Sequence, residues 1–445
     1  MLALLGWFFL CFLLAALSAP RPIYLLVGAM VLRLAVPSYA SNSYLVGLHL
    51  AGYLVVATAC VQLVFYWPRV RNLLLKSKFE LTCFALCLAL MLANALSANS
   101  RLLDILMNIA IVYLTPFLFY LLLKMEIHRL GMRALQPLVL ALHATMLYEL
   151  WLALQQRETG QVLVFAQQAQ QALWFQGDEN AGRSYGTFEG GLELSTVCIF
   201  AIGMTYWVRN SYLQVALILA YLNVNLLGSG RAALVLGLGL GLLILLTSKA
   251  SLLAKTLSFL LGLGGLIFLY FSEAGETMLE KINDDGGSNQ KRLDALHWVG
   301  RNFEYFILSG YPGARDLRTA GELSSSLENA YLMVGMDYGL IFTAALLTLQ
   351  LGIILKNIRS LAGLTMGLTA LGIILVNMTN SGFSSNSVSA YLIWIALGLC
   401  SVGSWVSPAG YLQAPARKSP KPATPKPALA LEQNQAQVRA LKTSV

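Results

Sequence analysis

Apolar stretches of about 20 residues recur along nearly the whole chain, separated by short clusters of charge, glycine or proline. Hydrocarbon offers backbone N–H and C=O groups no partner, so such stretches can cross a bilayer only as helices or closed barrels. Length selects helices here, since a barrel strand needs only 9–11 residues. Of the 445 residues, 57% are hydrophobic and 11% are charged. A soluble chain is about 25% charged and 45–50% apolar, so an ordinary cytosolic enzyme is excluded. An aromatic content of 10% also excludes a disordered chain. The expected fold class is an all-α polytopic membrane protein.

Thirteen candidate spans follow: 1–19, 22–38, 44–66, 79–97, 102–123, 134–154, 190–207, 212–228, 231–248, 252–272, 327–355, 361–379 and 388–406. Span 327–355 is long and contains Asp337 and Gly339, which suggests that it opens with a half-helix. The chain then divides into N-terminal helices (1–154), an external loop (155–189), helices (190–272), a larger external loop (273–326), C-terminal helices (327–406) and a tail (407–445). Loops of that length usually carry function.

Lys and Arg orient the map. Alternate loops hold nineteen and ten of them, and the richer set, which includes the tail, belongs inside. Both long loops therefore face outside, with the N-terminus, and the C-terminus is cytoplasmic. The formal charge of +9 comes from this asymmetry and does not point to a nucleic acid. The run Met1–Ala19 lacks a basic leader and reads as a retained helix. Cys11, Cys60, Cys83, Cys87, Cys198 and Cys400 all fall in apolar segments, as buried reduced thiols would.

In the first long loop, Val162, Phe165, Ala169, Ala172 and Leu173 recur at helical spacing opposite glutamines, predicting an interfacial helix over 161–175 ending at Trp174 and Phe175. The second loop has a Gly/Asp/Asn-rich start (283–289), a predicted helix near 290–308, then Gly310-Tyr-Pro-Gly313. The tail is rich in Pro and Lys, which suits an extended, disordered segment able to meet anionic lipid.

Eight of the ten outward basic residues are Arg, whose planar fork matches phosphate oxygens. Arg183, Arg231 and Arg292 stand out. Arg231 follows Gly228-Ser-Gly230 at a helix start, where backbone N–H groups can face an anion. Its bland reading is a snorkelling interfacial side chain. Arg292 and Arg301 are nine residues apart and point to opposite sides of a straight helix. Arg301 has Asp294 and Glu304 within reach on its own face, so it reads as structural and Arg292 as the phosphate ligand. Glu328 opens an outer helix, where it serves either as a general base or as a helix cap. Glu189 and Glu193, four apart, repel unless something binds them, and they are reserve bases. Arg33, Asp104, His49 and His143 are sparse within the spans and suggest no pairing, unlike the charges of a transporter core.

These residues carry a resemblance. Arg183-Ser-Tyr-Gly-Thr-Phe, Gly-Ser-Gly-Arg231-Ala, Arg292 in the large loop, Gly310-Tyr-Pro-Gly and Glu328-Asn329-Ala-Tyr331-Leu occur in the order seen in the O-antigen polymerase/ligase superfamily. The likeness covers about 180–345. It implies an integral-membrane glycosyltransferase of GT-C type in the bacterial inner membrane, with an undecaprenyl-diphosphate-linked glycan as donor and an acceptor hydroxyl outside. A chain-length regulator is a partner that such a polymerase can have. Superfamily ligases carry His-Asn where this chain has Glu328-Asn329, which favours a polymerase. His297, the one histidine of that loop, stands elsewhere.

The chemistry can be argued independently. A sugar diphosphate has its leaving group built in, so no cofactor or metal is required. Convergent Arg side chains would stabilise the departing diphosphate, and a carboxylate would take the acceptor's proton. Glu328 is the first candidate for that base, Arg292 its catalytic partner, and Arg183 and Arg231 complete the diphosphate site, with Asn329 and Tyr331 as neighbours at the helix start. A ligase or protein oligosaccharyltransferase, and then a polar-lipid flippase, are the competing readings.

Overall fold

The computed structural model describes residues 2–402 apart from 45–47, 98–101, 172–183, 229, most of 249–287, 312–327, 381 and 383–385. Most of the apolar stretch 252–272, Trp174, Phe175, Arg183, the segment 283–287, Pro312-Gly313 and the tail 407–445 lie outside the described residues. So do the side chains of Asp104 and Arg292.

Among the described residues every regular element is helical. The chain opens with α1 (Leu2–Leu17), α2 (Ile23–Ala35), the short α3 (Ser38–Tyr44) and α4 (Leu50–Phe65), and both α1 and α2 pack on α4. Pro37 ends α2 by forcing Val36 into an extended conformation, φ −120° and ψ 112°. α4 bends by 106° into α5 (Trp67–Lys76), with Pro68 in the first turn of the new helix. After α6 (Lys78–Ser97), α7 (Leu102–Asn108) runs through a π-helical turn, Ile109–Leu114, into α8 (Thr115–Leu130). Pro116 has no N–H for the carbonyl one turn back, and the ladder slips so that Thr115 N–H bonds Ala110 O.

α9 (Met132–Thr159) closes on Gly160, whose φ of +66° gives a left-handed cap. The interfacial helix expected over 161–175 begins late: α10 spans Ala166–Gln171, because Phe165 takes φ 57° and stops any earlier turn. Then come α11 (Gly191–Met204), α12 (Ser211–Leu227), α13 (Arg231–Thr247), α14 (Ser288–Asn302), α15 (Ala330–Tyr338), α16 (Leu340–Asn357), α17 (Leu361–Asn377) and α18 (Val388–Val402). The long stretch 327–355 is broken into α15 and α16 at Gly339. There φ is +98° and a Cβ would lie 2.7 Å from Leu308 O, so only glycine fits.

α11 is central, touching α9, α12, α13, α17 and α18, with every residue but Leu192 buried. α18 is buried along its whole length and packs on α8. Phe84 stacks on Phe117 with ring centroids 3.8 Å apart, and Trp394 meets Phe117 edge-on at a centroid distance of 5.1 Å. All six cysteines are free, and Cys60 is exposed on the outside of α4, contrary to the expectation of burial.

Among the described residues, three helices are long and apolar enough to cross a membrane: Ile105–Leu130, Met132–Thr159 and Leu340–Asn357. The bent pair α4–α5 makes a fourth if counted as one span. Seven further apolar helices are shorter, at 10–17 residues.

Among the described residues, contacts between helix ends gather in two groups. At one end Gln62 Nε2 donates to Ala19 O (2.7 Å), Lys124 pairs with Glu80 (2.9 Å) and Cys400 Sγ meets Gly363 O (3.3 Å). At the other, Ser184 N–H donates to Leu227 O (3.0 Å) and Ala330 N–H to Asn380 O (2.8 Å).

Candidate functional site

The second of these ends collects the polar residues. Arg33, in the last turn of α2, is 2% exposed and meets Glu189 of the segment that leads into α11. Glu189 Oε1 accepts from Arg33 Nη1 (3.2 Å), Arg33 Nη2 (3.3 Å), Ser38 N–H (2.9 Å) and Ser38 Oγ (2.7 Å). Arg33 Nη2 also donates to Asn386 O at 3.0 Å, and its Cζ lies 5.7 Å from the Tyr391 ring centroid. Glu189 Oε2 is buried without a hydrogen-bond partner. One carboxylate oxygen is saturated and the other is left over.

The expectation that Arg33 is unpaired is therefore corrected. Its counter-charge sits 156 residues later in sequence, a distance that no helical-period argument spans. The same finding answers the Glu189–Glu193 repulsion. Glu189 is neutralised by Arg33, and Glu193 takes a hydrogen bond from Ser389 Oγ at 2.5 Å.

A strap, 184–190, carries Glu189 into place. Gln156 clamps its turn: Tyr185 N–H (2.9 Å) and Gly186 N–H (3.0 Å) donate to Gln156 Oε1, and Gln156 Nε2 donates to Gly186 O (2.8 Å). Glu149, seven residues earlier on the same face of α9, accepts from Thr187 N–H and Thr187 Oγ1, both at 2.8 Å. Gly186 has φ +59°, and the Glu149 carboxylate fills the space where its Cβ would go. Nearby, burial pushes the phenols of Tyr185 and Tyr39 up from their ordinary range, and for Tyr39 the charges of Glu189 and Glu149 add to the effect. Both phenols stay neutral at physiological pH.

Glycines bring the next segment close. A Cβ on Gly228 would lie 2.6 Å from Gly191 O and 2.7 Å from Ser195 Oγ, so α13 can start against α11 only because none is present. Arg231, half-buried, is its first residue, with Gly230 at the N-cap. Asn380 links the remaining segments: its Oδ1 accepts from Gly382 N–H (3.1 Å), and its carbonyl accepts from Ala330 at the start of α15.

Glu328 and Asn329 immediately precede that helix. The N-cap of that helix is Asn329, whose Oδ1 accepts from Leu332 N–H at 3.0 Å. Tyr331 is fully packed, its hydroxyl donating to Gln350 Oε1 at 2.8 Å, and it serves the core. Over α15 lies α14, whose Ala295 and Val299 pack with Phe306 and Met336, flanked by Leu332 and Met333. Arg292 is three and seven residues before Ala295 and Val299, on the same helical stripe. Arg301 is exposed, with Nε 3.4 Å from His297 O of its own helix. Asp294, expected beside Arg301, instead accepts from Gln290 Nε2 at 3.0 Å.

Of the residues singled out in the sequence, Glu189, Glu193, Arg231, Glu328 and Asn329 thus belong to segments joined at one end of the bundle. Arg33, Ser38, Glu149, Gln156 and Ser389 join them unannounced by any motif. The two histidines are structural: His143 Nδ1 pairs with Tyr221 Oη at 2.7 Å, and His49 caps α4 through Ala51 N–H at 3.1 Å. Among the described residues no three His, Cys, Asp or Glu side chains are placed to share a metal ion. Chemically, this end offers paired carboxylates, one with a spare oxygen, beside helix starts bearing Arg231 and Glu328. No protein family's sequence profile matches this chain, and no curated protein matches it.

Proposed function

We propose that this protein is a polymerase of lipid-linked oligosaccharides: it joins undecaprenyl-diphosphate-linked repeat units into a surface polysaccharide, an O-antigen or exopolysaccharide, at the outer face of a bacterial inner membrane. The observation that carries the reading is the gathering of Glu189, Glu193, Arg33, Arg231 and the Glu328–Asn329 helix start at one end of an otherwise apolar bundle. Of these, Arg231 and Glu328–Asn329 belong to the motifs whose order resembles the O-antigen polymerase/ligase superfamily, and Glu189 directly follows the motif that ends at Phe188. The thirteen-span map, with the N-terminus outside and the tail inside, is part of the proposal. Its support is the Lys and Arg asymmetry of the loops together with the apolar exterior, where Phe9, Val64, Leu140 and Val235 are each about 70% exposed.

In this reading Arg183, Arg231 and Arg292 bind the donor's diphosphate and stabilise the charge that builds as it leaves. Glu328 accepts the proton of the acceptor hydroxyl. The Arg33–Glu189 pair holds the strap that carries Glu189, the reserve base. Incubation of purified protein with purified undecaprenyl-diphosphate repeat units tests the reading. A ladder of products supports it. Transfer to a second lipid acceptor would make the protein a ligase, and no new glycosidic bond would make it a transporter.

A further inference from the structure

We infer that α5 and the turn leading into it form a binding surface for anionic phospholipid headgroups. The inference rests on the membrane placement proposed above but not on glycosyl transfer. The sequence marks residues 69–78 only as a basic connector; the structure makes them a helix turned 106° from α4, as an element lying along a membrane surface would be. From Leu63 to Phe79 the chain carries Arg69, Arg71, Lys76 and Lys78 and no acidic residue. Arg71, Lys76 and Lys78 are exposed. Interleaved with them, Phe65 is 69% exposed, Leu75 56% and Trp67 49%, and no described residue covers these apolar groups. Cations beside uncovered apolar side chains match a phosphate above acyl chains.

Arg69 supplies a more local sign. Its guanidinium lies 4.2 Å from the Tyr66 ring centroid, and its Nη1 is buried with no hydrogen-bond partner. A donor so placed calls for an acceptor oxygen. The described acids of α6 and α8, helices on which α5 packs, are already paired. Glu80, 2% exposed on its side chain, is held by Lys124 at 2.9 Å with Lys356 at 4.0 Å, and Glu126 is bound by Arg129 at 2.7 Å. Lys356, 57% exposed, adds a further cation to this end.

The surface is also separate from the carboxylate cluster. α4 starts where His49 Nε2 meets Val36 O at 2.8 Å, beside Arg33 and Ser38. Its sixteen residues then carry the chain about 24 Å to the opposite end. A ligand on α5 is therefore not the glycan diphosphate of the proposed reaction.

The test uses full-length protein purified in a neutral detergent, with phosphatidylglycerol and phosphatidylcholine as probes in native mass spectrometry. The wild type should retain phosphatidylglycerol preferentially. The exposed triple variant Arg71→Gln, Lys76→Gln, Lys78→Gln should lose affinity by about fivefold per cation removed. The charge-retaining variant Arg71→Lys, Lys76→Arg, Lys78→Arg should bind like wild type, which separates charge from folding. Equal retention of both lipids by the wild type, or undiminished phosphatidylglycerol on the Gln variant, overturns the inference. Protein that stays monodisperse without detergent would instead remove the membrane placement itself.

Discussion

Arg33 and Glu189 form a 3.2 Å ion pair across 156 residues of sequence, and the same carboxylate oxygen takes both the backbone N–H and the hydroxyl of Ser38. Three segments are thereby tied at one point: the end of α2, the start of α3 and the strap that leads into α11. With Arg33 2% exposed and Glu189 17%, the pair is largely withdrawn from water. Deleting one partner strands the other's charge, which typically costs about 3–5 kcal/mol for a buried pair. Glu189's partial exposure sets the expectation at the lower end. Arg33→Met and Glu189→Gln should each lower the unfolding midpoint of the purified protein, and the double variant should lose clearly less than their sum. Strict additivity would mean that the two side chains are not energetically coupled.

Two glycines on left-handed backbone provide a graded test of the strap. Gly160 has φ +66° with open space around it, whereas Gly186 has φ +59° and the Glu149 carboxylate where a Cβ would stand. Gly160→Ala should cost about 1–2 kcal/mol from backbone conformation alone. Gly186→Ala should cost more and should also depress turnover, because it displaces the strap that carries Glu189. Equal effects in denaturant titrations of the two variants would show that the contact with Glu149 is unimportant.

Arginine roles separate by rate. Arg231→Ala and Arg292→Ala should each lower turnover of lipid-linked substrate by about 10²–10³, as loss of one charge-stabilising donor does. Arg292→Lys should recover only part of that, keeping the charge but losing the fork. Arg301→Ala, at an exposed position with no acidic partner among the described residues, should remain close to wild type. Comparable damage from Arg301→Ala at matched protein levels would reverse the assignment.

Glu328 and its neighbour can be told apart by what each variant changes. Asn329→Ala removes a helix cap, so stability should fall by about 1 kcal/mol while turnover of folded protein persists. Glu328→Gln should reduce the turnover of folded protein by about 10²–10⁴. A Glu328→Gln enzyme of normal activity would move the base to Glu189 or Glu193, and the same assay on their Gln variants would show which.

Topology makes a prediction independent of chemistry. A cysteine at Ser288, the first residue of α14, should react with an impermeant thiol reagent in intact spheroplasts. Truncation after Gly410 should leave bond formation within a few-fold of wild type, because a Pro/Lys-rich tail builds no packed core and the proposed topology sets it on the opposite side. Protection of residue 288, or loss of activity in a normally inserted truncation, would break the orientation.

Helices were legible in the sequence because the physics that makes them is local. Apolar runs near membrane length and Gly339 as a break act within a turn or two of chain, whereas Pro37 and Pro116 lie inside the spans read from the sequence and end or deform the helices there. Candidate residues at loop ends, among them Glu189, Glu193, Arg231 and Glu328, were also readable, since charge beside an apolar run is conspicuous. What only the tertiary structure decided is who neutralises whom. Arg33 looked isolated until Glu189 was brought to it, Asn329 became the N-cap of α15, and Gln156 proved to clamp a turn some thirty residues ahead. Such pairings depend on packing between helices, where a Gly191–Gly228 contact of backbone on backbone sets which segments can approach. Composition encodes that a buried charge must find a partner; the fold alone determines which residue it is.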